Sequence, residues 1–218
     1  MLKNRFLACS ILIINSSLLA GCGGSSLFDS PSNSTPTTLD TKTSFLVPTS
    51  NSSFSVTDFD SEAEGYIKDG EDGVGYAVGI IDNFPGSDEY AGYAGLHSST
   101  TVSELPSQGT AVMKGEVELA EIYDIKPTIS GSSIFTGSFY KDEGVISLTA
   151  DFGAGTLKGN SGSLYVDGKF TSKDLGGNVT YKGVAGDLTG LIDGNKAIGA
   201  FHGKTSTSLY AGGFLVKK

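Results

Sequence analysis

The chain has 218 residues, with 24 acidic against 15 basic side chains and a formal net charge of −9. That balance repels phosphate backbones and anionic head groups, so nucleic acid is not an expected partner. Two cysteines, one of them in the leader described next, exclude a disulfide framework, and the length after the leader suffices for one self-supporting core.

Taken in chain order, the first element is a leader. Lys3 and Arg5 precede an apolar run over 6–20, broken by Asn15, Ser16 and Ser17. The break leaves it short of the ~20 apolar residues that a membrane span needs, and its layout is that of a secretory signal. Its ending, Leu19-Ala20-Gly21-Cys22, resembles the lipobox of bacterial lipoproteins. That resemblance implies cleavage after residue 21 and acylation of Cys22, making the membrane a partner through a lipid anchor. Acyl chains at ~0.8 kcal/mol per buried methylene would hold the chain stably. Cleavage also removes Cys9, Lys3 and Arg5, leaving Cys22 as the sole cysteine and taking the charge from −9 to −11. Attraction to a basic protein surface or a cation is one reading of that acidity. Solubility is the simpler one.

Residues 22–53 read as a flexible tether. From 23 to 53, 22 of 31 residues are Ser, Thr, Asn, Pro or Gly, too polar to offset the entropy of ordering. A random coil of that length reaches ~30 Å. Phe45-Leu46-Val47 is an apolar patch that, docked on the domain, would shorten that reach.

From residue 54 the text changes to short alternating segments separated by Gly-rich turns. Strands are expected at 76–81, 89–96, 110–122, 133–140, 145–151, 163–171, 178–182, 185–192, 196–203 and 208–216. No sustained helical stripe occurs, and this pattern predicts an antiparallel sandwich or barrel. A Gly-x-Phe rhythm at Gly137/Phe139, Gly168/Phe170, Gly199/Phe201 and Gly212/Phe214 favours the barrel. Residues two apart share a strand face, so each glycine leaves bare backbone where a neighbouring strand's ring can lie. Asp167-Gly168 looks like a hairpin turn, but the rhythm puts Gly168 within a strand and the reversal at 173–177. Asp193-Gly194-Asn195 is the clearest hairpin.

Three segments of the C-terminal half resemble the transferrin-binding protein B type β-barrel: Ala150-Asp151-Phe152-Gly153-Ala154-Gly155-Thr156-Leu157-Lys158-Gly159, Gly199-Ala200-Phe201-His202-Gly203 and Ala211-Gly212-Gly213-Phe214. The resemblance covers about 110–216. It implies an all-β fold, an antiparallel eight-stranded up-and-down barrel filled by its own side chains. It also implies a lipid-anchored outer-membrane or cell-surface lipoprotein whose relatives capture host proteins or haem carriers. Transferrin-binding members have two lobes, each with a barrel and a handle. Here one barrel occupies 106–218, and 54–105 remains for leading strands or a handle. The family's contact loops find no match, so no ligand-binding residue is carried over.

Catalytic chemistry is not expected. The Gly-rich strings lack the following helix and third glycine of nucleotide loops, no nucleophile elbow occurs, and no Cys-His pair survives maturation. His97 is expected in a loop and His202 solvated on the outside of the barrel, with no metal site and no cofactor between them. Asp58, Asp60, Glu62, Glu64, Asp69, Glu71 and Asp72 lack the calcium-loop pattern and read as a solvated acidic loop. Asn83-Phe84-Pro85-Gly86, Asp88-Glu89-Tyr90 and Tyr93 are aromatic enough to form a contact region or ordinary core. The expected function is binding of an extracellular protein or small ligand, in iron or haem acquisition. The alternative is a structural envelope lipoprotein with no specific ligand.

Overall fold

The computed structural model describes residues 41–48, 54–82, 89–97, 104–127 and 135–218, which excludes the leader and Cys22. Every regular element in them is a strand. The first four are β1 (Thr41–Phe45), β2 (Phe59–Asp69), β3 (Asp72–Ile81) and β4 (Glu89–Leu96). Next come β5 (Thr110–Pro127), β6 (Phe135–Asp151), β7 (Thr156–Ser161) and β8 (Leu164–Phe170). The last are β9 (Asp174–Tyr181), β10 (Val184–Ile192), β11 (Lys196–Lys204) and β12 (Leu209–Lys217). Strands β5 to β12 follow one another antiparallel, and β12 pairs back to β5 to close the expected eight-stranded barrel. The others form a small sheet in the order β1-β4-β3-β2, with β1 parallel to β4.

Two apolar layers explain the arrangement. Alternation along β8, where Leu164, Val166 and Phe170 are buried between exposed Tyr165 and Lys169, sends one face of each barrel strand inward. Those faces meet in a core that includes Met113, Leu148, Leu157, Val179, Phe201 and Phe214. Strands β11 and β12 are buried on both faces. Their outward Ile198, Ala200, Ala211 and Leu215 carry the small sheet's Val74, Tyr76, Val78 and Tyr90 in a second core. Polar ties reinforce that contact. Tyr76 Oη donates to Glu118 Oε2 at 2.8 Å, Lys217 pairs with Asp69 at 2.6 Å, and Lys196 pairs with Asp72. The outward face of β7 to β9 instead carries Lys158, Asn160, Lys169 and Asn178 to solvent, the reverse of a membrane-spanning barrel.

Several expectations are corrected. Residues 41–45, assigned by composition to the tether, are β1, held by pairing with β4 and by Phe45 against His202. The supposed acidic loop is largely β2, an edge strand. Its carboxylates at 60, 62 and 64 follow the period of a strand and face solvent, while Asp58 lies in the turn before it with a left-handed φ of 58°. β7 was hidden by its glycine and polar residues, while 135–140 of the strand expected at 133–140 and the one at 145–151 prove to be one continuous β6, with 133 and 134 outside the described residues. Gly168 does lie within β8, but the reversal falls at 171–173, ahead of β9. Asp193 closes the expected hairpin, its Oδ1 accepting from the amides of Asn195 and Lys196 at 2.6 and 2.7 Å.

Candidate functional site at the barrel rim

The site follows from unequal strand lengths. β5 and β6 have 18 and 17 residues, whereas β7 and β8 have 6 and 7. Pairing between β6 and β7 stops at Ser147 and Asn160. Beyond that point the β5–β6 ribbon stands above the rim, and its inner face looks over the barrel mouth. Along this face the sequence turns from apolar to polar. Val117 and Leu119 are buried, Glu121 sits opposite Tyr140, Leu119 opposite Asp142, and Tyr123 opposite Ser138.

Lys182 reaches this face from the β9–β10 turn, where its backbone takes a left-handed φ of 48°. Its Nζ lies 2.6 Å from Glu121 Oε2 and 5.0 and 4.9 Å from the ring centres of Tyr140 and Tyr181. Burial pulls the Lys182 ammonium down, but hydrogen bonds to Glu121 and Tyr181 outweigh it and hold it above the ordinary lysine range. The Glu121 side chain is only 7% exposed, and Lys182 is its ion-pair partner. Tyr181 Oη donates to Asp142 Oδ2 at 3.3 Å, and burial raises its phenol. Tyr123 and Tyr140 remain 39% and 47% exposed.

Beside this cluster lies a cavity of about 240 Å³, floored by Val117, Leu119 and Leu164 and bordered by Asp142, Gly144 and Ser161. Ser161 Oγ donates to the Val145 carbonyl at 2.8 Å, which fixes the cavity's outer wall. The arrangement offers flat aromatic area, a buttressed cation and oriented carboxylates. Such groups can stack on flat apolar surfaces and pair with opposite charges.

The residues singled out from sequence are dispersed. Cys22, Asn83, Phe84, Pro85, Gly86 and Asp88 lie outside the described residues. Tyr90 and Tyr93 are core residues on opposite faces of β4. Tyr90 turns to the barrel and Phe139 at 6.3 Å between centroids, Tyr93 to Phe59 at 5.0 Å. His202 points outward as expected but is 7% exposed, because Phe45 covers it at 4.2 Å between centroids. Burial pushes its imidazole below the usual histidine range. His97 follows β4 and donates its amide to the Gly73 carbonyl at 2.9 Å. Asp69 and Asp72 are used by lysines, and no group of three or more metal-ligating side chains forms among the described residues. The rim cluster is not visible in the sequence pattern, because the polar run Lys141-Asp142-Glu143-Gly144 interrupts the alternation of β6.

No protein-family profile matches the chain, and no curated protein does. Similar solved structures include intact transferrin-binding protein B, Ap-TbpB, with 13% identity over 71% of this chain and a TM-score of 0.43. A surface lipoprotein is 12% identical over 75% of this chain and 81% of its own, with a TM-score of 0.44. The haemoglobin receptor HpuA from Kingella denitrificans is 14% identical over 65% of this chain and 54% of its own, with a TM-score of 0.34. The chain spans 37% of the length of Ap-TbpB.

Proposed function

We propose that this chain is a lipid-anchored lipoprotein of the bacterial outer membrane, acylated at Cys22, whose barrel rim docks an extracellular protein. The observation that carries the docking claim is the rim itself: Tyr140 stands exposed 5.0 Å from a lysine buttressed by Glu121, and Tyr123 stands exposed two residues beyond that glutamate on the same strand. Aromatic area around a fixed charge is the usual composition of an energetic centre in a protein interface. The anchor rests on Leu19-Ala20-Gly21-Cys22 behind a signal-like leader. The similarity to transferrin-binding protein B motifs favours iron or haem acquisition as the setting, and the protein acts by binding rather than by catalysis.

Protease shaving of intact cells, read by mass spectrometry, tests display. Release of peptides from 110–216 is expected. Their absence from intact cells, with release after the outer membrane is opened, would overturn surface docking and leave the structural envelope role. Cys22→Ser is expected to move the protein from the membrane to the soluble fraction. Titration with haem separates haem itself from a protein partner, since a direct haem site requires a Soret shift.

A further inference from the structure

We propose that the rim cavity is a receptor slot for one cationic side chain, a lysine or arginine, of a basic partner protein. The slot exists because two positions at the rim carry no side chain. Gly144 faces inward on β6, where an added Cβ would have only Ser161 Oγ nearby, at 3.5 Å, and Gly162 turns the β7–β8 hairpin with a left-handed φ of 52°. Departure of β6 from β7 above Ser147 opens the wall at the same level. The floor of Val117, Leu119 and Leu164 suits an aliphatic stem, which long cationic side chains bury while their heads seek a carboxylate.

Asp142 supplies that carboxylate. Its Oδ2 accepts from Tyr181 Oη at 3.3 Å, which orients the group and leaves its other oxygen for a ligand. An oriented carboxylate beside an apolar floor interacts more strongly with a cation than one in bulk water. Around it Glu121 is paired with Lys182 and Glu143 with Lys141, so both neighbouring lysines are engaged by other carboxylates and Asp142 is left for a ligand's cation. A volume of about 240 Å³ admits one long side chain. The acidity of the whole chain would also speed encounter with a basic protein.

The identity of the partner as an extracellular protein rests on the rim-docking reading above, whereas the slot is tested on purified protein alone. n-Butylguanidinium, n-butylammonium and uncharged n-butylurea are titrated separately into labelled protein, following the amide resonances of Gly144, Ser161 and Gly162. Saturable shifts are expected with both cations and none with the urea. Asp142→Asn, which keeps an acceptor for Tyr181, is expected to weaken cation binding at least tenfold. Gly144→Val, which fills the slot, is expected to abolish it with the barrel's amide spectrum retained. Equal binding of the urea, cation binding undiminished in either variant, or no saturable shift with the cations would overturn the proposal. Cation binding by a protein that shaving finds inside the envelope would uphold the slot and reject the extracellular partner.

Discussion

The ring of Phe214 on β12 lies over the bare backbone of Gly199 on β11, its direct partner in the strand pair. Two residues along, the exchange is reversed, with Phe201 over Gly212. A methyl group at 199 or 212 would overlap the opposing ring. Gly199→Ala is therefore expected to cost about 1–3 kcal/mol through overpacking, and each kcal/mol lowers the thermal midpoint by about 2–4 °C in a domain of this size. Phe214→Leu should restore part of the loss in the double variant. Calorimetry of the two single variants and the double variant checks this, and additive losses would contradict it.

Lys196 and Asp72 join the barrel to the small sheet with side chains 16% and 9% exposed. Lys196→Met leaves an uncompensated buried carboxylate, for which about 3–5 kcal/mol is expected. The double change with Asp72→Asn should be milder than the single one, as urea unfolding would reveal. Hydrogen exchange should show β3 losing protection before the barrel interior.

His202 gives an acid-sensitive contact. Burial beneath Phe45 lowers its folded pKa, Asp187 opposes that, and Lys204 adds to it. The unfolded imidazole titrates near 6.5. Between that pH and the lower folded value, the unfolded chain binds a proton that the folded chain refuses. This group's contribution is thus constant above about pH 7 and lost as pH falls through the window. His202→Gln should flatten that part of a stability–pH curve. Phe45→Ala should move the histidine's titration, followed by NMR, back toward 6.5.

At the alkaline end the tyrosines dominate. Tyr66, Tyr76, Tyr93, Tyr181 and Tyr210 are all raised above 10, in each case chiefly by burial, and Tyr76 also by its hydrogen bond to Glu118. The unfolded chain releases these protons near pH 10 while the folded chain retains them, so stability present below pH 10 is lost as pH rises beyond it. A spectrophotometric titration of the native protein should show these five ionising late. Their absorbance change should arrive together with loss of the β-sheet circular dichroism signal.

Much of the barrel was legible because its strands alternate one apolar face with one polar face. Leu164, Val166 and Phe170 announce β8, and the spaced Gly-x-Phe pairs at 199 and 212 mark two strands that fit one another. The same rhythm misleads at Gly137 and Phe139, which face outward: a Cβ at 137 would meet Ile122 and Tyr90, and Phe139 lies beside Tyr90. At 168 the glycine is filled by Leu175 and Leu188 rather than by a ring. The edge strand β2 was concealed by acidic residues, whose two-residue spacing was the available signal. The rim cluster is less legible still, since Glu121, Asp142 and Lys182 come from two strands and one turn. Their meeting depends on strand register, which no single segment encodes.

Thr41 Oγ1 donates to the Thr205 carbonyl at 3.3 Å, and the Ile125 amide donates to the Thr207 carbonyl at 3.0 Å. The chain therefore enters the domain beside the β11–β12 turn, at the same pole as the rim that carries Tyr123 and Tyr140. If Cys22 anchors the chain as proposed, any pull from upstream acts on that pole, the one that carries the rim tyrosines. Anchorage at Cys22 would then make the number of residues between it and Thr41, rather than rotation of the barrel, govern how far from the membrane the rim can stand.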